Sequence, residues 1–145
     1  MDIYSIGFTK KTAEQFFSHL KKEQIRRLLD VRLNNVSQLA GFAKRADLKY
    51  FLKEICDAEY IHEPMLAPTQ ELMDSYKKEK GPWDRYAKKF LALMEKRKIA
   101  SKLDRKQFSV RTVLLCSEAE AEHCHRKLVL DYLHDQWGGL RIRHL

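Results

Sequence analysis

The chain is poor in glycine, proline and cysteine, with 5, 3 and 3 of its 145 residues. So few glycines and prolines exclude a collagen-like or low-complexity polymer and argue against a turn-rich all-β fold. The cysteines, Cys56, Cys116 and Cys124, are too few, and odd in number, for a secreted disulfide scaffold. No stretch approaches the ~20 apolar residues of a membrane span. The opening Met1-Asp2-Ile3-Tyr4-Ser5-Ile6-Gly7 lacks the basic and apolar regions of a signal peptide. These absences predict a cytoplasmic protein with reduced thiols and no membrane partner. The apolar residues that are present suit a folded domain, and a chain of this length buries roughly two-thirds of its unfolded surface. One domain over residues 1–145 is expected, with no repeat and no linker.

The formal net charge is +8. It is concentrated: residues 77–111 hold 13 basic and 4 acidic side chains, and the rest of the chain is nearly balanced. Such a segment suits an anionic small molecule or nucleic acid. It equally suits a helix whose outer face is kept in water by Lys88, Lys89, Lys96 and Lys98.

Asp2–Ile6 and Arg27–Val31 read as strands. Between them, Thr12-Ala13-Glu14-Gln15 has the capping-box form and Phe16, Phe17 and Leu20 follow on one helical face. Leu48, Phe51, Leu52 and Ile55 mark a helix over about Arg45–Cys56. Glu59–His62 is a short strand, stopped by Pro64. Pro68-Thr69 opens a helix to about Lys78, Gly81-Pro82 breaks it, and Tyr86, Phe90, Leu93 and Met94 stripe a second, basic helix. Ser109–Cys116 is the strongest strand signal. Ser117-x-x-Glu120 then reads as a capping box opening a helix to about Gln136, and Gly138-Gly139 turns into a last strand, Leu140–His144. The alternation predicts an α/β domain with three layers. Its sheet is mostly parallel, with about five strands and helices on both faces, and a helical insertion separates strands three and four.

In such a sheet ligands bind beyond the carboxyl ends of the strands. The chemically able residues fall there: Asp30 and Arg32 after strand two, His62 after strand three, Cys116, Ser117 and Glu118 after strand four, and Cys124, His125 and Arg126 beyond. Asp30 sits among apolar neighbours and needs a partner. Arg32, two residues on, shares its side of the strand. The pair either anchors the following loop or aims Arg32 at an anion. Ser37 caps that loop or binds a phosphate. Glu118, placed at a helix N-terminus, would be favoured as the carboxylate. That form suits a nucleophile or general base, although simple complementarity to the helix dipole is the commoner use. His125 and Arg126 near the helix start suit an anion. Cys124 is a small core residue or the thiol of a Cys–His couple. Consecutive helical residues project about 100° apart, which argues against a metal site built from Cys116, Cys124 and His125. No Cys-x5-Arg loop is present, since Glu122 and Leu130 stand at the arginine positions. Tyr60 reads as core, and His62 as a hydrogen-bonding residue or an acid–base group.

The Ile6-Gly7-Phe8 start, Asp30-Val31-Arg32, Ser37 with Gly41-Phe42, Tyr60-x-His62, and above all Leu115-Cys116-Ser117-Glu118 followed by Cys124-His125-Arg126 together resemble domain-of-unknown-function family 488. The likeness runs from Ile3 to about His144. Phe8 stands where a His or Tyr is expected, and Asn34-Asn35 where a proline often lies. The resemblance implies a prokaryotic α/β domain of this size. Its recurring polar positions would be Asp30, Arg32, Ser37, Cys116, Glu118, Cys124, His125 and Arg126. It brings no established activity and no cofactor.

Two functions fit the residues. One is an enzyme acting on a phosphate-bearing, nucleoside or nucleic-acid substrate at the strand-end rim. In it Arg32 and Arg126 clamp the anion, Glu118 attacks or accepts a proton, and Cys124 or His125 assists. The other is a non-catalytic nucleic-acid-binding module using residues 77–111. A redox or metal role through Cys116 and Cys124 is a third course. The sequence is silent on oligomeric state.

Overall fold

Five strands form one sheet in the order β3-β2-β4-β1-β5, and every neighbouring pair is parallel. They are β1 (Asp2–Gly7), β2 (Arg27–Asp30), β3 (Glu59–His62), β4 (Thr112–Cys116) and β5 (Arg141–His144). The computed structural model describes residues 1–34, 41–118 and 121–145. Between the strands lie α1 (Ala13–Lys22), α2 (Arg45–Phe51), α3 (Gln70–Lys77), α4 (Trp83–Lys96), α5 (Ile99–Lys102) and α6 (His125–Trp137). A wider π-helical turn, Leu52–Cys56, extends α2. The expected capping box is formed: the Thr12 side chain accepts from the Gln15 backbone and Gln15 reaches back to Thr12. Thr69 caps α3 through the Leu72 backbone N–H.

The helices cover both faces, as a parallel sheet buried on both sides requires. Phe16, Phe17 and Leu20 of α1 and Leu48 of α2 pack on Ile6, Leu28, Val113 and Leu115. Phe90 and Met94 of α4 and Val129 and Leu133 of α6 pack on Ile3, Leu29, Val31 and Leu114. Alternate residues of one strand therefore serve opposite cores. Helices α3 to α5 are the expected insertion between β3 and β4. No helix among the described residues is long and apolar enough to cross a membrane.

Register decides where the rim lies. Gly7 pairs with Cys116, and Asp30 with Leu115, so β1, β2 and β4 end at one level. The chain leaves β1 through α1 on one face and leaves β4 through α6 on the other. Two neighbouring strands whose connections part in this way open a crevice at their carboxyl ends.

Two boundaries differ from the sequence reading by three residues or more. Strand four begins at Thr112 rather than Ser109. The preceding Arg105–Phe108 is a 3-10 turn, whose Gln107 carbonyl accepts from Arg27 Nη1 at 2.6 Å and Thr112 Oγ1 at 3.0 Å. The helix after β4 begins at His125, not near Ser117. Tertiary bonds override the local capping signal. The Ser117 carbonyl accepts from the Thr9 backbone at 3.1 Å, and the Glu118 carbonyl from Arg126 Nη1 at 2.6 Å.

Candidate functional site

The crevice is a cleft of about 260 Å3, close to the lower end of small-molecule sites. Cys116, Cys124 and His125 line its floor. Arg32 and Phe8 stand on one side, Glu118 and Lys77 at the mouth, and Tyr76, Trp83 and Tyr86 form a wall contributed by α3 and α4.

The floor is a thiol–imidazole cluster. Cys116 is the last residue of β4 and Cys124 is the residue that precedes α6. Cys124 has extended backbone angles, φ −131° and ψ 140°, and is not yet helical. The helical 100° step therefore does not apply between it and His125, and both side chains reach the same point. The two sulfurs and a His125 ring nitrogen lie within 4.8 Å of one another, which removes the geometric objection raised from sequence. His125 Nε2 lies 2.7 Å from the Val31 carbonyl. A carbonyl only accepts, so Nε2 carries a proton; Cys116 Sγ lies beside the ring, 3.4 Å from Nδ1 and 3.9 Å from Nε2. A hydrogen bond from the Cys124 thiol lowers the pKa of Cys116 against the opposing effect of burial; the Ser117 and Glu118 backbone N–H groups and the Arg126 charge assist. The same thiol–thiolate bond raises the pKa of Cys124.

Arg32 is held from behind. Its Nε and Nη2 donate to the two Asp30 oxygens, each at 2.8 Å, and Nη2 also donates to the Ala43 carbonyl at 2.7 Å. Tyr60 donates its hydroxyl to Asp30 Oδ2 at 2.5 Å. The guanidinium lies 5.3 Å from the centre of the Phe8 ring, a cation–π contact. Its remaining nitrogen, Nη1, is buried and has no hydrogen-bond partner among the described residues. A buried charged donor without an acceptor is costly unless something supplies one.

Glu118 meets Lys77 Nζ at 2.5 Å, with both side chains about half exposed. Burial works against the Lys77 charge, but the Glu118 bond and charge outweigh it and raise the Lys77 pKa. The loop carrying Glu118 lies against β1 so closely that a Cβ on Gly7 would sit 1.5 Å from the Glu118 carbonyl oxygen. Glycine is required at position 7 for that approach.

The wall is aromatic throughout. Trp83 stacks on Tyr86 with centroids 5.2 Å apart and planes 23° apart, and it lies 5.0 Å from the His123 ring. Tyr76 closes the group, 5.0 Å from Tyr86.

The profile of the family described as Domain of unknown function DUF488 matches residues 12–133. The chain belongs to this family. The matched span contains every floor residue and the Asp30–Arg32 pair, and leaves out β1 and β5. No curated protein and no solved structure matches the chain.

The structure brings Arg32, Cys116, Ser117, Glu118, Cys124 and His125 of the sequence-derived candidates into one cleft. Glu118 stands there in a loop, so the helix-dipole argument for its ionised form falls with the later helix start. Asp30 is not in the cleft and does not pair with Glu118; it is fully buried behind Arg32. Arg126 does not clamp a ligand from the rim. It is fully buried, donating to Ser5 Oγ at 3.1 Å and to the Glu118 carbonyl, with Cys124 Sγ 3.5 Å away. His62 Nε2 lies 3.0 Å from the Arg32 carbonyl, outside the cleft lining. Ser37 lies outside the described residues. The aromatic wall and Lys77 were missed from sequence. Trp83 and Tyr86 continue the apolar stripe of α4 by one turn, and periodicity does not tell a core position from a cleft position on that stripe.

Proposed function

We propose that the chain is an enzyme acting on a substrate with a flat heteroaromatic ring and an anionic or carbonyl group, of the nucleoside or nucleotide class. One juxtaposition carries this reading: an aromatic wall and a buried guanidinium line the same cleft, and one guanidinium nitrogen has no hydrogen-bond partner among the described residues. The ring stacks against Trp83, Tyr76 and Tyr86. The anionic or carbonyl oxygen is drawn to the Arg32 guanidinium, which Asp30 and Tyr60 hold in place before any ligand arrives, and accepts from Nη1 once the lining opens, since that atom is closed to solvent here. Glu118, at the mouth and paired with Lys77, is the group placed to move a proton. The thiol–imidazole floor lies under the reacting end.

Part of the basic segment is taken up within the fold or stands at the cleft. Arg97 is spent on the Met65 and Ala67 carbonyls, Arg105 stacks over Trp137, and Arg111 donates to the Glu23 carbonyl. Lys77 stands at the cleft. Lys78 pairs with Asp74, and what remains exposed is Lys80, Lys98, Lys102 and Lys106 together with a stripe on α4 of Arg85, Lys88, Lys89 and Lys96.

The test is a fluorescence titration of Trp83 in a Trp137→Phe background with nucleobases, nucleosides, nucleotides and short single strands, followed by chromatography for turnover. Saturable quenching is expected. Trp83→Ala, which removes the fluorophore and is therefore followed by calorimetry, should weaken binding by about 1–3 kcal/mol, roughly 5- to 150-fold. Arg32→Met should weaken anionic ligands more than neutral ones. Binding that survives both substitutions but disappears on charge reversal at Lys88, Lys89 and Lys96 would overturn the reading.

A further inference from the structure

The geometry points to a zinc site at the cleft floor, with Cys116 Sγ, Cys124 Sγ and His125 Nδ1 as three ligands and the fourth position facing the cleft. This is independent of which substrate the cleft takes.

Two thiolates and an imidazole are the donor set that borderline-soft Zn2+ prefers, and three protein ligands with one open position is the form of reactive rather than structural zinc. The separations fit. A tetrahedral zinc with bonds near 2.3 Å to sulfur and 2.0–2.1 Å to nitrogen sets sulfur and nitrogen about 3.6 Å apart. Cys116 Sγ and His125 Nδ1 are 3.4 Å apart, and all three donor atoms lie within 4.8 Å of one another.

The surroundings are also those of a metal ligand set. A zinc-bound histidine usually gives its other N–H to a carbonyl or carboxylate, which fixes the ring and the tautomer. His125 does so at 2.7 Å to Val31, which leaves Nδ1 as the ring nitrogen for a metal; Cys116 Sγ lies 3.4 Å from Nδ1 and 3.9 Å from Nε2, beside the ring rather than along the Nδ1 lone pair, so the ring or the thiol must turn to share an ion. Arg126, fully buried, brings Nη1 to 3.5 Å from Cys124 Sγ, where its charge steadies a thiolate. The same arginine holds the Glu118 carbonyl, so one side chain fixes both the ligand and the loop beside it. All three ligands are buried against protein yet line the cleft, so the open position is the one a substrate or water would reach.

The experiment uses the full chain, expressed with zinc in the medium and purified under reducing conditions without a metal-affinity step. Elemental analysis should find stoichiometric zinc, and X-ray absorption at the zinc edge should show two sulfur and two nitrogen or oxygen neighbours. Stripping and refilling with Co2+ should give sulfur-to-cobalt charge transfer and the strong visible bands of a tetrahedral site. Cys124→Ala and His125→Ala, checked for folding by circular dichroism, should each weaken zinc by at least the roughly tenfold that losing even a second-shell partner costs. If a variant fails to fold, the absorption spectrum of the unaltered protein decides alone. Zinc without sulfur neighbours, or no zinc uptake by the reduced protein, overturns the proposal.

Discussion

Asp30→Leu puts the most weight on a single contact. Asp30 and Arg32 form a two-pronged ion pair whose side chains are 0% and 5% exposed, with 2.8 Å contacts on both prongs. Removing one member of a buried pair leaves the other charge unneutralised and costs about 3–5 kcal/mol. The Tyr60 hydroxyl also loses its acceptor. Against a total stability of about 5–15 kcal/mol, this loss is a large fraction of what holds the fold together. With a urea slope near 2 kcal/mol/M, the midpoint should fall by roughly 1.5–2.5 M. Urea unfolding followed by circular dichroism and by tryptophan fluorescence reads this directly. The double variant Asp30→Leu/Arg32→Met removes both charges and should regain at least about half of the loss, because apolar replacement of a whole buried pair is often neutral. A single-variant loss below about 1 kcal/mol, the size of an exposed pair, would refute the reasoning. So would a double variant no more stable than the single one.

Other outcomes follow from the same contacts. Gly7→Ala should lower stability by about 1–3 kcal/mol, as overpacking does, and should disturb the amide signals of the Glu118 loop; an unchanged melting temperature would mean that the loop does not press on β1. Burial, with the Arg126 charge, lowers the His144 pKa below 6.5, so the unfolded chain takes up a proton there before the folded chain does. The stability that His144 retains above about pH 6.5 is therefore lost as the pH falls toward its lower folded value. The melting-temperature advantage of the natural chain over His144→Asn should shrink across that window, and an advantage that stays constant or grows on acidification contradicts the assignment.

Much of the architecture was legible because each element is locally consistent. Thr12 and Thr69 cap the helices they were expected to cap, Gly81-Pro82 separates α3 from α4, and the β–α alternation implied parallel strands. Strand order was not legible, since it depends on which crossovers skip a neighbour. The helix start after β4 was misplaced because Arg126, eight residues from Glu118, holds that carbonyl out of a helical path. The same event hid the cluster at the floor: Cys124 precedes the helix instead of lying in it, so adjacent residues converge. Arg126 looked like a ligand clamp because sequence shows its charge but not its burial. Asp30 and Arg32 were paired correctly from their two-residue spacing, whereas an Nη1 without an acceptor among the described residues is a property of coordinates alone.

The cleft is where a ligand is expected to meet this chain. Amide chemical-shift mapping with a saturating nucleotide measures this most directly. The largest shifts are expected at Phe8, Arg32, Tyr76, Trp83, Ser117 and His123. Shifts confined to the outer face of α4, around Lys88, Lys89 and Lys96, would contradict it.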